Sequence, residues 1–214
     1  TKFTVNSAGV DIPAIGTING LTSINSGQIG GSRNKIMNGA MVIDQRNAGA
    51  SVTPASTPTY TIDRWNFQYT ANSKFSTQRS TTVPSGFTNS MLVTSLSAYS
   101  VGSGDIFLVQ QSIEGFNIAD LAWGTASAAT VTLSLWVRSS LTGTFGGALL
   151  NGAQNRSYPF TYAISSANTW EKKSITIAGD TTGTWATDNS SGIRVTFGLG
   201  GGATYSGTAG EWVA

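Results

Sequence analysis

Histidine and cysteine are both absent from this chain of 214 residues. Without cysteine the chain has no disulfide and no thiol nucleophile, and without histidine it has no histidine-based catalytic triad. Zinc sites of the His/Cys type are excluded for the same reason. The ten acidic residues show no spacing typical of a paired-carboxylate glycosidase or of a calcium loop. The sequence therefore predicts no enzymatic activity, no metal site and no cofactor, and it leaves two alternatives open: a depolymerase site assembled between subunits and a structural cation in a loop.

Charge is also scarce, since only 10% of the side chains are charged and the formal net charge is +2. The isoelectric point near 9.0 is high because few groups titrate, so it does not indicate a strong positive field. We therefore expect no nucleic-acid partner. Serine and threonine interrupt every apolar run well before the 18 residues of a membrane-spanning helix, and the sequence predicts no membrane insertion.

Small and hydroxylated residues are abundant instead. The chain has 29 Thr, 27 Ser and 26 Gly, together with six Trp and 39% hydrophobic residues. This composition favours turns and β-strands over helices, and its apolar content is too high for a disordered chain. The sequence predicts an all-β globular protein.

The first 34 residues have a pattern of their own. Apolar residues recur at every third position, at Ile12, Ile15, Ile18, Leu21 and Ile24. A period of three fits neither a helix nor a single strand, and one chain alone could not bury the stripe. Two interpretations stay open: an extended β stalk in which three copies intertwine as a homotrimer, or an irregular arm that lies on the following domain.

From residue 35 to residue 214 the pattern is that of a β-sandwich. Trp65, Phe67 and Tyr69 alternate with polar residues, which indicates a half-buried strand with these aromatic rings in the core. Predicted strands are Ala40–Asp44, Arg64–Tyr69, Met91–Ala98, Ile106–Ile113, Thr130–Arg138, Tyr158–Ile164, Glu171–Ile177 and Ile193–Leu199. About eight short strands separated by turn signals, among them Gly146-Gly147 and Asn151-Gly152, favour two packed antiparallel sheets of jelly-roll type.

Several motifs in this domain resemble a domain found near the distal end of tailed-phage fibre proteins. The opening run 34–41 (NKIMNGAM), followed by DQR at 44–46 and YTIDRW at 60–65, is similar to the start of that domain. Further on, VQQSIEG at 109–115 and VTLSLWVR at 131–138 are similar to two of its strands. The motifs occur in the expected order and the resemblance covers roughly residues 34–200.

The resemblance implies a jelly roll like those of carbohydrate-binding modules, carried on a trimeric virion fibre that touches the host surface. It implies synthesis in the host bacterial cytoplasm, with host polysaccharide or lipopolysaccharide and other virion proteins as partners. Two features depart from the family. The loop between Gln111 and Thr130 lacks the usual basic stretch, and the family has a further strand and tail after the point that corresponds to Ala214, so one sheet edge is expected to be incomplete.

Trp136 is the strongest candidate for glycan binding. It alternates with the apolar residues of its strand and therefore lies on the opposite face, beside Ser134 and Arg138. An aromatic ring flanked by hydrogen-bonding groups is suited to a pyranose. The competing interpretation is that loops or a neighbouring subunit cover this face.

Four more aromatic residues occur beside Gly, Ser and Thr in predicted loops, where recognition usually resides. These further glycan-binding candidates are Trp123, Trp170, Trp185 and Tyr205. Each of them could equally close the end of the sandwich. Asp63 and Arg64 are expected to be structural, with the carboxylate accepting backbone N–H bonds and the guanidinium bridging to an acid such as Glu114.

Three functions are compatible with these observations. The first is a non-catalytic attachment protein that binds a host surface glycan. The second is a structural virion protein, such as a head fibre, decoration or collar subunit, whose sandwich serves assembly. The third is a carbohydrate-binding module of a secreted enzyme, which the period-three arm disfavours.

Overall fold

A computed structural model of the chain describes residues 34–214, and within the first 33 residues it describes only the backbone of four short strands. The chain divides into two compact units, Thr1–Asn34 and Lys35–Ala214. In the first unit, β1 (Thr4–Asn6) pairs with β2 (Gly9–Asp11), and β3 (Ser23–Ile24) pairs with β4 (Gly27–Gln28), both antiparallel. Ile12, Ile15, Ile18, Leu21 and the side chain of Ile24 lie outside the described residues.

The second unit is built from ten strands and three single 3₁₀ turns. The strands are β5 (Thr59–Ile62), β6 (Trp65–Tyr69), β7 (Phe75–Ser80), β8 (Ser90–Ser95), β9 (Ile106–Glu114), β10 (Val131–Val137), β11 (Gly143–Asn151), β12 (Ser157–Ile164), β13 (Glu171–Ile177) and β14 (Ser191–Gly201). The 3₁₀ turns are Gly115–Asn117, Ala119–Leu121 and Ala203–Tyr205. All pairings between these strands are antiparallel, so the all-β, antiparallel prediction is confirmed. Among the described residues, no helix is long and apolar enough to cross a lipid bilayer.

Six of the strands form one sheet in the order β12-β11-β14-β9-β6-β5. The remaining four form two ribbons, β7 with β8 and β10 with β13. The apolar face of each ribbon packs against the same face of the large sheet. This packing forms two core clusters that lie side by side. The pairs β9·β14, β10·β13 and β11·β12 are nested one inside another along the chain.

The aromatic residues of β6 lie where their alternation predicts. Trp65, Phe67 and Tyr69 are 5%, 0% and 4% exposed and belong to the core between the sheet and the β7·β8 ribbon. The Asp63 and Arg64 predictions are also confirmed. Asp63 accepts the backbone N–H of residue 45 at 2.7 Å, and Arg64 Nη2 donates to both carboxylate oxygens of Glu114 at 2.8 and 2.9 Å.

The segment that opens this unit crosses both clusters. Ile36 packs against the two clusters at once. Beside it, the fully buried side chain of Gln111 accepts the backbone N–H of Met37 at 2.8 Å and donates to its carbonyl at 2.7 Å. These bonds tie the start of the domain to the central strand β9.

The predicted strand Ala40–Asp44 is wrong. Asn38 and Met41 have φ values of 50° and 54°, a left-handed conformation that a strand does not contain. The Met41 N–H donates to the Asn38 carbonyl, and the Asn38 side chain bonds both backbone groups of Ile43. Asparagine favours such local bonds over a ladder, so the segment forms a turn.

Strand β11 differs from the sequence prediction, in which Gly146-Gly147 indicates a turn. The structure places both glycines inside the strand, where a Cβ on Gly147 would lie 2.2 Å from the Thr196 carbonyl oxygen and 2.6 Å from Phe160 Cζ. The glycine is therefore required by the close approach of the Thr196 carbonyl and of the Phe160 ring to the backbone, and not by a turn.

Candidate functional site

Two of the predicted glycan-binding residues, Trp123 and Trp185, are core residues. They are 6% and 7% exposed and pack edge-to-face on each other and on Trp212, with ring centroids 4.7 to 5.4 Å apart. Their indole N–H groups donate to the carbonyls of Ala129 and Thr182. Because both rings are almost fully buried and both donors are used, these residues belong to the core and do not form part of an exposed site.

Trp136 has the position that alternation predicts. Along β10, odd-numbered residues are half-buried and even-numbered residues are exposed, and the side chain of Trp136 is 40% exposed on the outer face. Valine and leucine residues on the opposite face pack against the core. The large ring is therefore held by its strand while part of its surface remains in contact with solvent.

The partner strand β13 supplies the neighbours of Trp136. Lys172 stands directly opposite Trp136 in the antiparallel register, and Ser174 stands opposite Ser134, with the two hydroxyl oxygens 3.0 Å apart. Thr132 and Thr176 form the next pair on the same face, and all of these side chains are exposed. The outer face of the β10·β13 ribbon, which we call the Trp136 face, consists of Thr132, Ser134, Trp136, Lys172, Ser174 and Thr176.

Arg138 and Trp170 stand at one end of the Trp136 face, one step beyond the last pair of the register, Val137 with Glu171. Arg138 Nε donates to the carbonyl of Asn168 at 2.8 Å, which anchors the guanidinium group. Trp170 is half-buried, and its indole nitrogen is shielded from solvent without a hydrogen-bond partner in the described part of the chain. Four of the predicted residues, Ser134, Trp136, Arg138 and Trp170, are thus brought to one ribbon.

Tyr205 lies elsewhere. It belongs to the 3₁₀ turn Ala203–Tyr205, after the last strand, and it is 56% exposed. The backbone of this turn is bonded to the loop that precedes β9, where the Thr204 N–H donates to the Ser103 carbonyl at 3.0 Å, and Tyr205 is therefore not assigned to the Trp136 face.

The Trp136 face combines an aromatic ring, a row of hydroxyl groups and the ammonium group of Lys172, and the guanidinium group of Arg138 stands at its end. An indole ring can stack on the apolar side of a sugar ring, while serine and threonine hydroxyls both donate and accept hydrogen bonds. Lys172, Ser174 and Thr176 of β13, and Thr132 of β10, are not among the site residues that the sequence predicts. The alternation of β13 places Lys172, Ser174 and Thr176 on one face, but only the pairing of β13 with β10, 40 residues apart at Ser134 and Ser174, brings them to Trp136.

Acidic groups that could bind a metal do not gather in the part of the chain that the structure describes, where no cluster of three or more candidate ligands occurs. The acid nearest to the Trp136 face in sequence is Glu171. It accepts hydrogen bonds from Lys173 Nζ and from the backbone N–H groups of Ser166 and Ser165, and these bonds hold its pKa below the usual value.

No protein-family model matches the chain, and no curated protein is similar to it. One solved structure with a detectable likeness is the enzymatically active domain of tailspike protein 4 from bacteriophage CBA120. The two chains share 14% sequence identity and superpose with a TM-score of 0.46 over 77% of the present chain. The chain spans only 19% of the length of that tailspike chain.

This finding corrects one prediction. The sequence predicts that the chain is not an enzyme, whereas the similar structure is described as an enzymatically active domain. The prediction of a non-catalytic protein, drawn from the missing histidine and cysteine and from the spacing of the acidic residues, is therefore wrong. A pair of carboxylates can hydrolyse a glycoside without histidine or cysteine. The absence of those two residue types therefore does not exclude an enzyme, and the chain has ten acidic residues.

Proposed function

We propose that the chain is part of a tailed-phage virion protein, in a tail or head fibre, and that its second unit attaches to a polysaccharide or lipopolysaccharide on the host surface. The observation that carries the proposal is the partly exposed indole of Trp136 on a strand face that is otherwise hydroxylated. A large aromatic ring exposed among serine and threonine gains nothing from core packing, whereas a sugar can use both kinds of group. The motif resemblance to phage fibre domains supports the virion assignment.

The jelly-roll assignment belongs to the same proposal. It is supported by the nested pairs β9·β14, β10·β13 and β11·β12, in which a long hairpin is folded over so that its middle pair lies in a separate ribbon. In this arrangement the β10·β13 ribbon is a rigid platform, because its inner residues pack on the large sheet. The same proposal divides the chain between residues 34 and 35 into a stalk, residues 1–34, and a binding head, residues 35–214.

We further propose that three copies assemble through residues 1–34. The support is the stripe of apolar residues at every third position from Ile12 to Ile24, which three parallel chains could bury in a shared seam. Three heads on one stalk would raise a weak single-site affinity by avidity. Sedimentation equilibrium of the full chain distinguishes a trimer from the 22.2 kDa monomer, and a strict monomer at tens of micromolar contradicts the stalk.

Binding of the full chain to an array of bacterial surface polysaccharides and lipopolysaccharides tests the attachment function. We expect Trp136→Ala to abolish binding while circular dichroism shows an unchanged fold. Phe116→Ala is the matched control, because Phe116 is an aromatic residue with 67% exposure that lies on a 3₁₀ turn and not on the ribbon. A reducing-end assay on the same incubations measures cleavage separately from attachment.

Two results would contradict the proposal. Binding that survives Trp136→Ala, or that is lost equally in Phe116→Ala, removes the Trp136 face from the function. An array without any bound glycan, for a chain that is nevertheless found in purified virions, favours the structural role in assembly.

A further inference from the structure

We infer that the glycan bound at the Trp136 face is acidic, a saccharide that carries carboxylate or phosphate groups. The inference rests on the proposed function of that face and goes one step further, since it concerns the chemical class of the ligand. It is drawn from two charges, Lys172 on the face and Arg138 at its end, which are both positive.

Lys172 is the first of these charges. It stands opposite Trp136, and directly opposed residues on antiparallel strands have Cβ atoms about 5 Å apart. The ammonium group is therefore carried on a flexible stem next to the indole ring. Among the described residues the ion pairs within 4 Å involve other cations, so Lys172 has no acidic partner there.

Arg138 is the second. Its Nε donates to the carbonyl of Asn168, while its two terminal nitrogens make no hydrogen bond within the described range 34–214. A guanidinium group held by one edge presents its remaining N–H groups in a fixed direction, and this planar fork matches carboxylate and phosphate oxygens. Arg138 also lacks an acidic partner within residues 34–214.

The same strand also contains a lysine, Lys173, whose charge is paired with an acid of the chain itself. Lys173 lies on the inner side of β13, and its Nζ is 2.6 Å from a carboxylate oxygen of Glu171. That carboxylate also accepts two backbone N–H groups of the preceding loop. The acid nearest to Lys172 in sequence is thus fully engaged on the other side of the ribbon and does not compensate Lys172.

The Trp136 face itself contains no acid, since its other members are serine and threonine. Two cations beside an aromatic ring therefore produce a positive local potential in a chain whose overall charge is only +2. A neutral sugar would use the ring and the hydroxyls and accept hydrogen bonds from the two cations, but it would leave both positive charges without a counter-charge. An acidic saccharide uses all three kinds of group.

Calorimetry or fluorescence titration of the full chain tests the inference with two pairs of probes. The first pair is an oligogalacturonate and its neutral methyl ester, and the second is a phosphorylated mannan oligosaccharide and its dephosphorylated form. We expect tighter binding of the acidic member in at least one pair, with an affinity that falls as salt rises from 50 to 500 mM. The pair that shows the preference identifies carboxylate or phosphate.

Lys172→Gln and Arg138→Gln should each weaken binding of the acidic probe by about two- to fivefold, which is the range for exposed charge pairs, and should leave the neutral probe unaffected. Lys173→Gln is the matched control: it removes the same charge from the same strand, but on the inner side. We expect it to leave the preference for the acidic probe unchanged.

Equal affinity for the acidic and neutral members of both pairs, without a salt dependence, overturns the inference. If that binding still depends on Trp136, the proposed attachment function is unaffected. Absence of binding to every acidic probe at millimolar concentration also overturns it. A loss of the preference in Lys173→Gln as large as in Lys172→Gln assigns the effect to net charge and contradicts a role of the face.

Discussion

Replacing Asp180 with asparagine is expected to lower the free energy of unfolding by about 3–5 kcal/mol. The side chain of Asp180 is only 2% exposed, and that of its partner Arg156 is 17% exposed. One carboxylate oxygen accepts Arg156 Nε at 2.8 Å, and the other accepts Arg156 Nη2 at 2.8 Å together with the backbone N–H and hydroxyl of Thr182, both at 3.1 Å.

The asparagine has nearly the same shape, so it creates no cavity. It nevertheless leaves the mostly buried Arg156 guanidinium without its counter-charge. In addition, its amide NH₂ group is a donor and takes the place of a carboxylate oxygen that accepts a hydrogen bond in the wild type. The estimate corresponds to a fall in melting temperature of about 6–20 °C for a domain of this size. Chemical denaturation and calorimetry of the full chain measure both quantities.

The pH dependence follows from the pKa of Asp180. Burial acts to raise this pKa, but the hydrogen bonds from Arg156 and Thr182 outweigh burial and hold it below the usual value. Since the folded carboxyl binds a proton less readily than the unfolded one, its contribution is complete above the unfolded pKa of about 3.9 and is lost as the pH falls through the folded pKa. The stability difference between the wild type and Asp180→Asn should therefore be constant near pH 7 and shrink in acid below about pH 4.

A double-mutant cycle with Arg156→Gln separates the pair from its surroundings. We expect the double variant to lose less stability than the sum of the single variants, because the second change removes the unpaired charge that the first one leaves. A loss below about 1 kcal/mol in Asp180→Asn at pH 7, the median for a surface pair, would refute the reasoning. So would a difference that stays constant down to pH 2.

Three further changes test the architecture around the site. Gly147→Ala should destabilise the domain by about 1–3 kcal/mol in urea denaturation, because the added methyl group would lie 2.2 Å from the Thr196 carbonyl oxygen; an unchanged midpoint would contradict this close approach of the two strands. Asn151→Ala should cost about 2–3 kcal/mol by the same measurement, since its fully buried amide oxygen accepts two backbone N–H groups of the β11–β12 turn, and a smaller effect than a surface alanine substitution would contradict this role. Glu114→Gln should cost only about 0–1 kcal/mol near pH 7, because Glu114 and Arg64 are 35% and 37% exposed. The hydrogen bond from Arg64 lowers the pKa of Glu114, so this small difference should vanish in acid and in 1 M salt, and a difference that persists in both would count against the ion pair.

Much of the strand content follows from local pattern. Trp65, Phe67 and Tyr69 alternate with polar neighbours, and each ring is buried because a strand turns successive side chains to opposite faces. Glu171–Ile177 begins and ends as its alternation predicts. Strand β11 could not be predicted in this way. In the sequence Gly147 indicates a turn, and only the structure shows that the Phe160 ring packs on it.

The candidate site also has a part that local pattern predicts and a part that only the structure shows. The exposure of Trp136 follows from its place in an alternating strand. Trp123 and Trp185, which lie in equally polar surroundings along the chain, are instead buried against each other and Trp212. Their burial depends on segments that are about 60 and 90 residues apart in sequence, and no local pattern contains that information.

By itself the sequence determined which side of each alternating strand is polar, because the period of two is a property of the backbone and needs no partner. It also excluded histidine and thiol chemistry, because those side chains are missing. Only the tertiary structure decided that β13 pairs with β10, and thus that Lys172 stands beside Trp136, because strand pairing is a long-range choice made by the packing of the whole core.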